Sequence, residues 1–358
     1  MKIGILTFHC AYNYGAMLQT YALQEYLKSC GHIVNIINYR PSYLESKLPT
    51  FRFRAFLKNP FGYTYYWLKK YPIIKRRFGL FKEFETSFYD KTIPLYNKYD
   101  INAIVKNYDD IIIGSDQVWN FTFNGSDTIW FGDFERNEKS KLISYAASAG
   151  NVNFSSEQEK LIKRFLQGFS AISVRENRFN TILKIPKPYE VVLDPTLLVP
   201  SYIYNKFINL KTYNKKYIVV REARTNANVY RIAQIIARQL NASLITVDVH
   251  ASSFKSGAEI CLCSPAEFVS IIANASCVVT TSFHAVAISL ITQVPFYAIR
   301  LNDRQDGRIE DLLKQVGLED RMLEIDAVPN FLPIDYTNSN VSLDNLRKKS
   351  QDFLNHNI

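Results

Sequence analysis

The chain has 358 residues, 47% hydrophobic and 21% charged, enough apolar material for a large core and too apolar for a disordered chain. Its 43 Lys and Arg against 33 Asp and Glu give a net charge of +10, which favours an anionic partner: substrate phosphates, nucleic acid or a lipid headgroup surface. Five cysteines, an odd number without regular spacing, argue against a secreted disulfide scaffold and for a reducing, cytoplasmic setting.

The N-terminus, MKIGILTFHCAYNYG, runs from a short apolar stretch into polar turn residues with no small-residue cleavage site, so it reads as a first strand rather than a signal peptide. Lys2 to Phe8 predicts that strand and Asn13-Tyr14-Gly15 a turn. A helix follows from Ala16 to Ser29, Gly31 stops it, and Ile33 to Asn38 predicts a second strand. The segment Phe51 to Phe84 then stands apart, with twelve aromatics, nine Lys or Arg and one acid, Glu83. Cations interleaved with rings suit a helix lying in a lipid interface; they equally suit a helical insertion that packs its rings on the body. Single-stranded nucleic acid ranks third, since no nucleic-acid module accompanies the segment.

Short buried strands are predicted at Asp110 to Ile113, Leu142 to Tyr145, Ala171 to Val174 and Val191 to Leu193, completing an N-terminal α/β domain over residues 1–205. Asn205 to Lys215 is the linker candidate. A second α/β domain, 216–330, opens with a strand at Lys216 to Arg221, a helix at Val229 to Leu240 and a strand at Ser243 to Val247. It continues with a helix at Pro265 to Ala273, a strand at Cys277 to Thr281, a helix at Ala285 to Thr292 and a strand at Pro295 to Ile299. A C-terminal helix is expected over 341–354. The uncharged run that opens at Phe268 and closes at Arg300 is long enough to span a bilayer, but its Thr-Thr-Ser-Phe-His and Gln-Val-Pro breaks read as buried strand, turn and helix.

The fold class is therefore α/β, two doubly wound, Rossmann-like domains facing across a cleft. Open parallel sheets bind ligands at the carboxyl ends of their strands. The Asn13-Tyr14-Gly15-Ala16 turn offers backbone N–H groups to a phosphate or carboxylate, or simply makes a tight turn; one glycine falls short of the dinucleotide and P-loop fingerprints. Gly114-Ser115-Asp116-Gln117-Val118-Trp119-Asn120 puts an acid, an amide and an indole at a strand end, where Asp116 serves as general base or as helix cap. Arg175 presents a planar fork for a carboxylate or phosphate, with Glu176 beside it to pair. Arg221 and Arg224 face the cleft from the second domain. Thr281-Ser282-Phe283-His284 sets an imidazole at a helix start. Cys261 and Cys263 lack a second pair with zinc spacing and His250 is solitary, so no metal is expected. No nucleophile-elbow motif occurs.

Six motifs in order resemble the polysaccharide pyruvyl transferase family: Asn13-x-Gly15-Ala16 with Leu18-Gln19-x-x-Ala22-Leu23, Gly114-Ser115-Asp116-Gln117-x-Trp119-Asn120, Ser144-Tyr145-Ala146-Ala147-Ser148, Ser173-x-Arg175-Glu176, Asp194-Pro195-Thr196 and Ser282-Phe283-His284-Ala285. The resemblance implies a GT-B-like pair of domains and transfer of the pyruvyl group of phosphoenolpyruvate to two sugar hydroxyls as a cyclic ketal, in capsule or exopolysaccharide biosynthesis. Phosphoenolpyruvate would be a co-substrate, with no resident cofactor. By position, Asp116 looks like the catalytic acid/base, Arg175 like a phosphoenolpyruvate contact and His284 like the family's cleft histidine; His284 is expected as proton donor and Asp116 as base, or the reverse, with Asn13, Gly15, Ser115, Gln117, Trp119, Arg221, Arg224, Ser282 and Arg308 as expected substrate contacts. Some members carry Arg where this chain has Ser282, so a cation must come from Arg221, Arg224, Arg304 or Arg308. The acceptor expected is galactose or an N-acetylhexosamine on a polyprenyl diphosphate, with the protein cytoplasmic or peripheral at the inner face of the cell membrane and not bound to nucleic acid. Two other readings stay open: a nucleotide-sugar-dependent GT-B glycosyltransferase and a non-catalytic polysaccharide-assembly protein.

Overall fold

The structure, a computed structural model, describes residues 1–45, 47–48, 53–150, 152–176, 188–249, 253, 256–303 and 305–358. Two six-stranded sheets, all strands parallel, make two lobes. The first contains β1 (Lys2–Leu6), β2 (Ile33–Ile36), β3 (Asp110–Ile113), β4 (Lys141–Ala147), β5 (Ala171–Val174) and β6 (Glu190–Val191), in the order β2-β1-β3-β4-β5-β6. The second contains β7 (Tyr217–Arg221), β8 (Ser243–Thr246), β9 (Glu259–Ile260), β10 (Cys277–Thr280), β11 (Phe296–Ile299) and β12 (Met322–Leu323), in the order β12-β11-β10-β7-β8-β9. Helices cover both faces of such sheets, which is why Asp110–Ile113 and Cys277–Thr280 are buried at every position.

Several element ends shift for local reasons. The first helix begins at Tyr14 rather than Ala16, because the Asn13 side chain caps it by accepting from the Ala16 N–H at 2.8 Å. The strand expected at Val191 to Leu193 ends at Val191, and Val192 and Leu193 lead instead into a cap at Asp194. Ser156–Leu166 is a helix opened by a Ser155/Gln158 capping box. The uncharged run after Phe268 resolves into helix, strand, helix and strand, and no helix among the described residues is long and apolar enough to cross a membrane.

Among the described residues, the linker, the last helix and a ring stack are among the contacts that join the lobes. Lys211 of the linker donates to the Leu262 carbonyl at 2.7 Å, fixing it to the second lobe. The last helix, Thr337–Asn357, is longer than the 341–354 expected and returns to the first lobe. There Ser350 Oγ accepts from the Leu193 N–H at 2.9 Å and Arg347 Nε donates to the Leu197 carbonyl at 3.1 Å. Tyr14 of the first lobe stacks on Phe268 of the second, with centroids 4.3 Å apart and planes 16° from parallel, a pairing that adds roughly 0.5–1.5 kcal/mol beyond area burial.

Candidate active site

The carboxyl ends of β3, β5 and β6 in the first lobe meet those of β10 and β11 in the second. Asp194, fully buried, is the hub. Its Oδ2 accepts from Arg175 Nη1 at 2.8 Å and from Ser115 Oγ at 3.2 Å, while Oδ1 accepts from the Thr196 N–H at 3.0 Å and from Thr196 Oγ1 at 2.7 Å. Burial alone would raise the Asp194 pKa, but His284, Arg175 and the Thr196 N–H outweigh it and hold the carboxylate well below its usual range. The hub is therefore a fixed negative charge.

His284 reaches this hub from the second lobe. Its Nε2 lies 3.7 Å from Asp194 Oδ2, beyond hydrogen-bond distance, and is a buried nitrogen without a hydrogen-bond partner. The ring rests on Gly15. A Cβ there would sit 2.2 Å from His284 Nδ1, so only glycine lets the first helix approach the imidazole.

Arg175 is buried, with Nε donating to Glu176 Oε1 at 3.3 Å and its guanidinium 5.5 Å from the Phe283 ring centroid. Burial opposes its charge, but Glu176, Asp194 and Asp116 more than compensate and keep it protonated. Its Nη2 is buried with no hydrogen-bond partner. Arg308, half-buried on the Gly307–Val316 helix, makes no hydrogen bond or ion pair among the described residues. Its pKa is pushed down, first by burial and then by the Arg175 guanidinium, against the pull of Glu176, Asp116 and Asp194. Two neighbouring guanidiniums with donors to spare form an anion seat. Beside them lies a cavity of about 40 Å³ whose lining includes Arg175, Glu176, Asp194, Phe283, Arg308 and Lys349.

Asp116 stands half-buried at the end of β3 within the field of both arginines. Its φ of +80° lies in the left-handed region, and Oδ1 accepts from the Gln117 N–H at 2.8 Å. Ala146 across the sheet also has positive φ, +51°, beside a register shift between β4 and β5. Such strain persists only where surroundings impose it and gathers at working sites.

The other expected contacts are distributed differently. Asn13 is exposed and engaged in its cap. Trp119 is fully buried, its indole N–H donating to the Trp130 carbonyl at 2.9 Å, so it sits in the first lobe's core. Gln117 Oε1 accepts from Asn120 Nδ2 at 2.7 Å. Arg221 pairs with Asp248 and lies 5.5 Å from the Tyr14 ring centroid. Arg224 pairs with Asp303 and, at 2.8 Å, with Asp306, bracing the start of the helix that carries Arg308. Ser282 precedes the His284 helix with no side-chain capping bond. Arg304 and His250 lie outside the described residues. Among the described residues there is no cluster of three or more metal-ligating side chains. Asp194 has no role in the sequence reading beyond its motif; the Asp-Pro-Thr cap signals its place, while its pairing with Arg175 is a tertiary fact.

A family model for polysaccharide pyruvyl transferase matches residues 13–303, most of the chain. The chain belongs to the polysaccharide pyruvyl transferase family. Its members are transferases, and the matched span holds Gly15, Asp116, Arg175, Asp194 and His284. No curated protein matches the chain by sequence. Among solved structures, UDP-GlcNAc 2-epimerase from Neisseria meningitidis bound to UDP-GlcNAc is similar with a TM-score of 0.52 and 8% identity, over 99% of this chain and 93% of that one. The UDP-GlcNAc 2-epimerase from Methanocaldococcus jannaschii gives 0.48 at 13% identity over 96% and 92%, and the E. coli ADP-heptose heptosyltransferase II gives 0.40 at 13% over 98% and 100%. At these identities the likeness concerns the fold, a GT-B-like pair of lobes, and not the reaction.

Proposed function

We propose that this pyruvyl transferase takes its pyruvyl group from phosphoenolpyruvate and sets it as a cyclic ketal on two hydroxyls of a sugar, galactose or an N-acetylhexosamine of a lipid-linked repeat unit, in surface polysaccharide biosynthesis. The observation that carries the reading is the neighbouring guanidiniums of Arg175, whose Nη2 is buried and unpartnered, and Arg308, with Asp194 linking Arg175 to the unpartnered His284 Nε2. Phosphoenolpyruvate bears a carboxylate and a phosphate on one small carbon frame, which is what two adjacent cations suit. Arg308 thus supplies the cation that Ser282 does not.

In the proposed reaction His284 protonates the methylene carbon of the donor and makes the central carbon electrophilic. A sugar hydroxyl adds to that carbon and gives its proton to Asp116. The carbon–oxygen bond to phosphate then breaks and the second hydroxyl closes the ring. The two hydroxyl protons are accounted for by the new methyl group and the departing phosphate. Asp194, held ionised, supports the positive charge on Arg175 through the cycle. Contact of the lobes at Gly15 and His284 excludes water, which would otherwise capture the cationic centre and release pyruvate.

Incubation with phosphoenolpyruvate and lipid-linked or aryl galactosides and N-acetylhexosaminides tests the reading. Phosphate release matched by a ketal on the acceptor supports it; consumption of a nucleotide sugar in place of phosphoenolpyruvate overturns it.

A further inference from the structure

The basic aromatic segment divides into a buried base and an exposed tip. Its long helix, Tyr71–Phe88, roots in the first lobe. Phe78 packs on Tyr12 with centroids 4.9 Å apart, Phe81 on Tyr14 at 4.9 Å and Phe84 on Tyr21 at 6.0 Å, with Phe81 and Phe84 almost wholly buried. Arg77 stands 5.3 Å from the Tyr14 ring centroid, one residue from the Gly15 contact with His284. The tip comprises Phe53–Lys58, Pro60–Tyr65 and a π-helical turn, Tyr66–Lys70. Phe56, Tyr63, Trp67 and Tyr71 pack ring to ring along it, with successive centroids 6.2, 6.2 and 4.1 Å apart. That internal spine leaves Phe53, Leu57, Phe61, Tyr65 and Leu68 turned outward, Phe61 91% exposed and Leu68 70%.

Cations alternate with this apolar side. Arg54, Lys58 and Lys69 make no ion pair among the described residues, and the sequence has no acid between Glu45 and Glu83 to offer one. The sheet-bearing body has its own cores and does not need these side chains.

We propose that the tip, residues 53–70, docks on an anionic lipid surface, with Phe53, Leu57, Phe61, Tyr65 and Leu68 entering the acyl boundary and Arg54, Lys58 and Lys69 meeting the headgroups. Charge decides among the occupants. A second copy would bring an acid-free basic face against itself, whereas an anionic bilayer supplies the missing countercharge. Leu57 and Leu68, which offer no ring to a nucleobase, find a partner in hydrocarbon as readily as Phe61 does. Because the long helix is rooted beside Tyr14, docking holds the cleft close to the membrane, where a lipid-borne acceptor would be met. The docking itself is independent of the reaction proposed above, since it requires no donor.

Flotation of the full chain with phosphatidylcholine vesicles containing about 30% phosphatidylglycerol tests the proposal. Binding is expected with these vesicles, absent with phosphatidylcholine alone, and reversed by salt near 0.5 M, about where screening shortens to a few ångströms. Phe61→Ser with Leu68→Ser should weaken it at least tenfold, and Lys58→Glu with Lys69→Glu should abolish the anionic preference. Tyr99→Ser with Val328→Ser, exposed elsewhere, should bind as the parent does. Unchanged thermal unfolding in each variant shows that the fold is intact. The proposal is overturned by absence of vesicle binding, by equal binding of the Phe61 and Leu68 variant, by a dimer that this variant dissolves while vesicles are ignored, or by retention of a single-stranded oligonucleotide without lipid binding.

Discussion

The imidazole of His284 fills the space that a side chain on Gly15 would need, Nδ1 standing 2.2 Å from the site of a Cβ. The two residues belong to different lobes, so one contact both closes the cleft and sets the ring. In an unobstructed helix Gly→Ala adds about 1 kcal/mol of stability. Here Gly15→Ala should instead displace the ring and offset that gain by about 1–3 kcal/mol of overpacking. Melting temperature should change little while turnover falls about 100-fold, the scale of a misplaced catalytic group. Parallel melting and phosphate-release measurements check this; a variant with full activity would mean that His284 tolerates displacement.

Asp116→Asn and His284→Asn keep shape and remove proton transfer. Each should lower kcat by about 100- to 10,000-fold, with a smaller effect on the apparent affinity for phosphoenolpyruvate. Steady-state kinetics check it; full turnover in either variant would overturn the assignment.

Removing the charge of Asp194 leaves Arg175 buried with Glu176 as its remaining ion-pair partner. Asp194→Asn should cost about 3 kcal/mol and lower the melting temperature by several degrees. The conservative Asp194→Glu should restore part of the stability. A neutral outcome would show that the hub is not electrostatic.

Glu85, at the root of the basic insertion, accepts from Tyr12 at 2.6 Å, Arg40 at 2.7 Å and Lys91 at 2.6 Å. Burial would raise its pKa, yet Lys91, Tyr12 and Arg40 together hold it at about 2. A depressed carboxylate stabilises the fold fully above its unfolded value, near 4.3, and that stabilisation is lost as pH falls from there through about 2. Urea unfolding of the parent and of Glu85→Gln should therefore differ most at neutral pH, by about 2 kcal/mol, and converge in acid. A constant difference across that range would contradict the assignment.

Much of this architecture is legible in the chain itself. Asp110–Ile113, Ala171–Val174 and Pro265–Ala273 fall where the sequence places them, because a strand buried on both faces is a continuous apolar run and the helix keeps its apolar periodicity. Ends such as Tyr14 depend on a capping side chain, which periodicity does not register. The site is legible as a set of motifs but not as a set of partners. Trp119 shares a motif with Asp116 yet turns into the core, and Arg221 and Arg224 are held by acids, while Arg308, outside every motif, remains with donors to spare. The basic aromatic segment mixes a face that packs with a face that does not, a division set by where Tyr12, Tyr14 and Tyr21 lie in space.

The central claim is that Arg175 and Arg308 seat a small, doubly anionic donor. Calorimetric titration of the protein with phosphoenolpyruvate, and separately with UDP-N-acetylglucosamine, tests it without knowledge of the acceptor. The account predicts one phosphoenolpyruvate per chain, affinity at least tenfold weaker in Arg308→Ala, as expected for about 1.5–3 kcal/mol from a hydrogen bond to a charged group, and no heat from the nucleotide sugar. Heat from UDP-N-acetylglucosamine alone, or equal phosphoenolpyruvate affinity in Arg308→Ala, would contradict it.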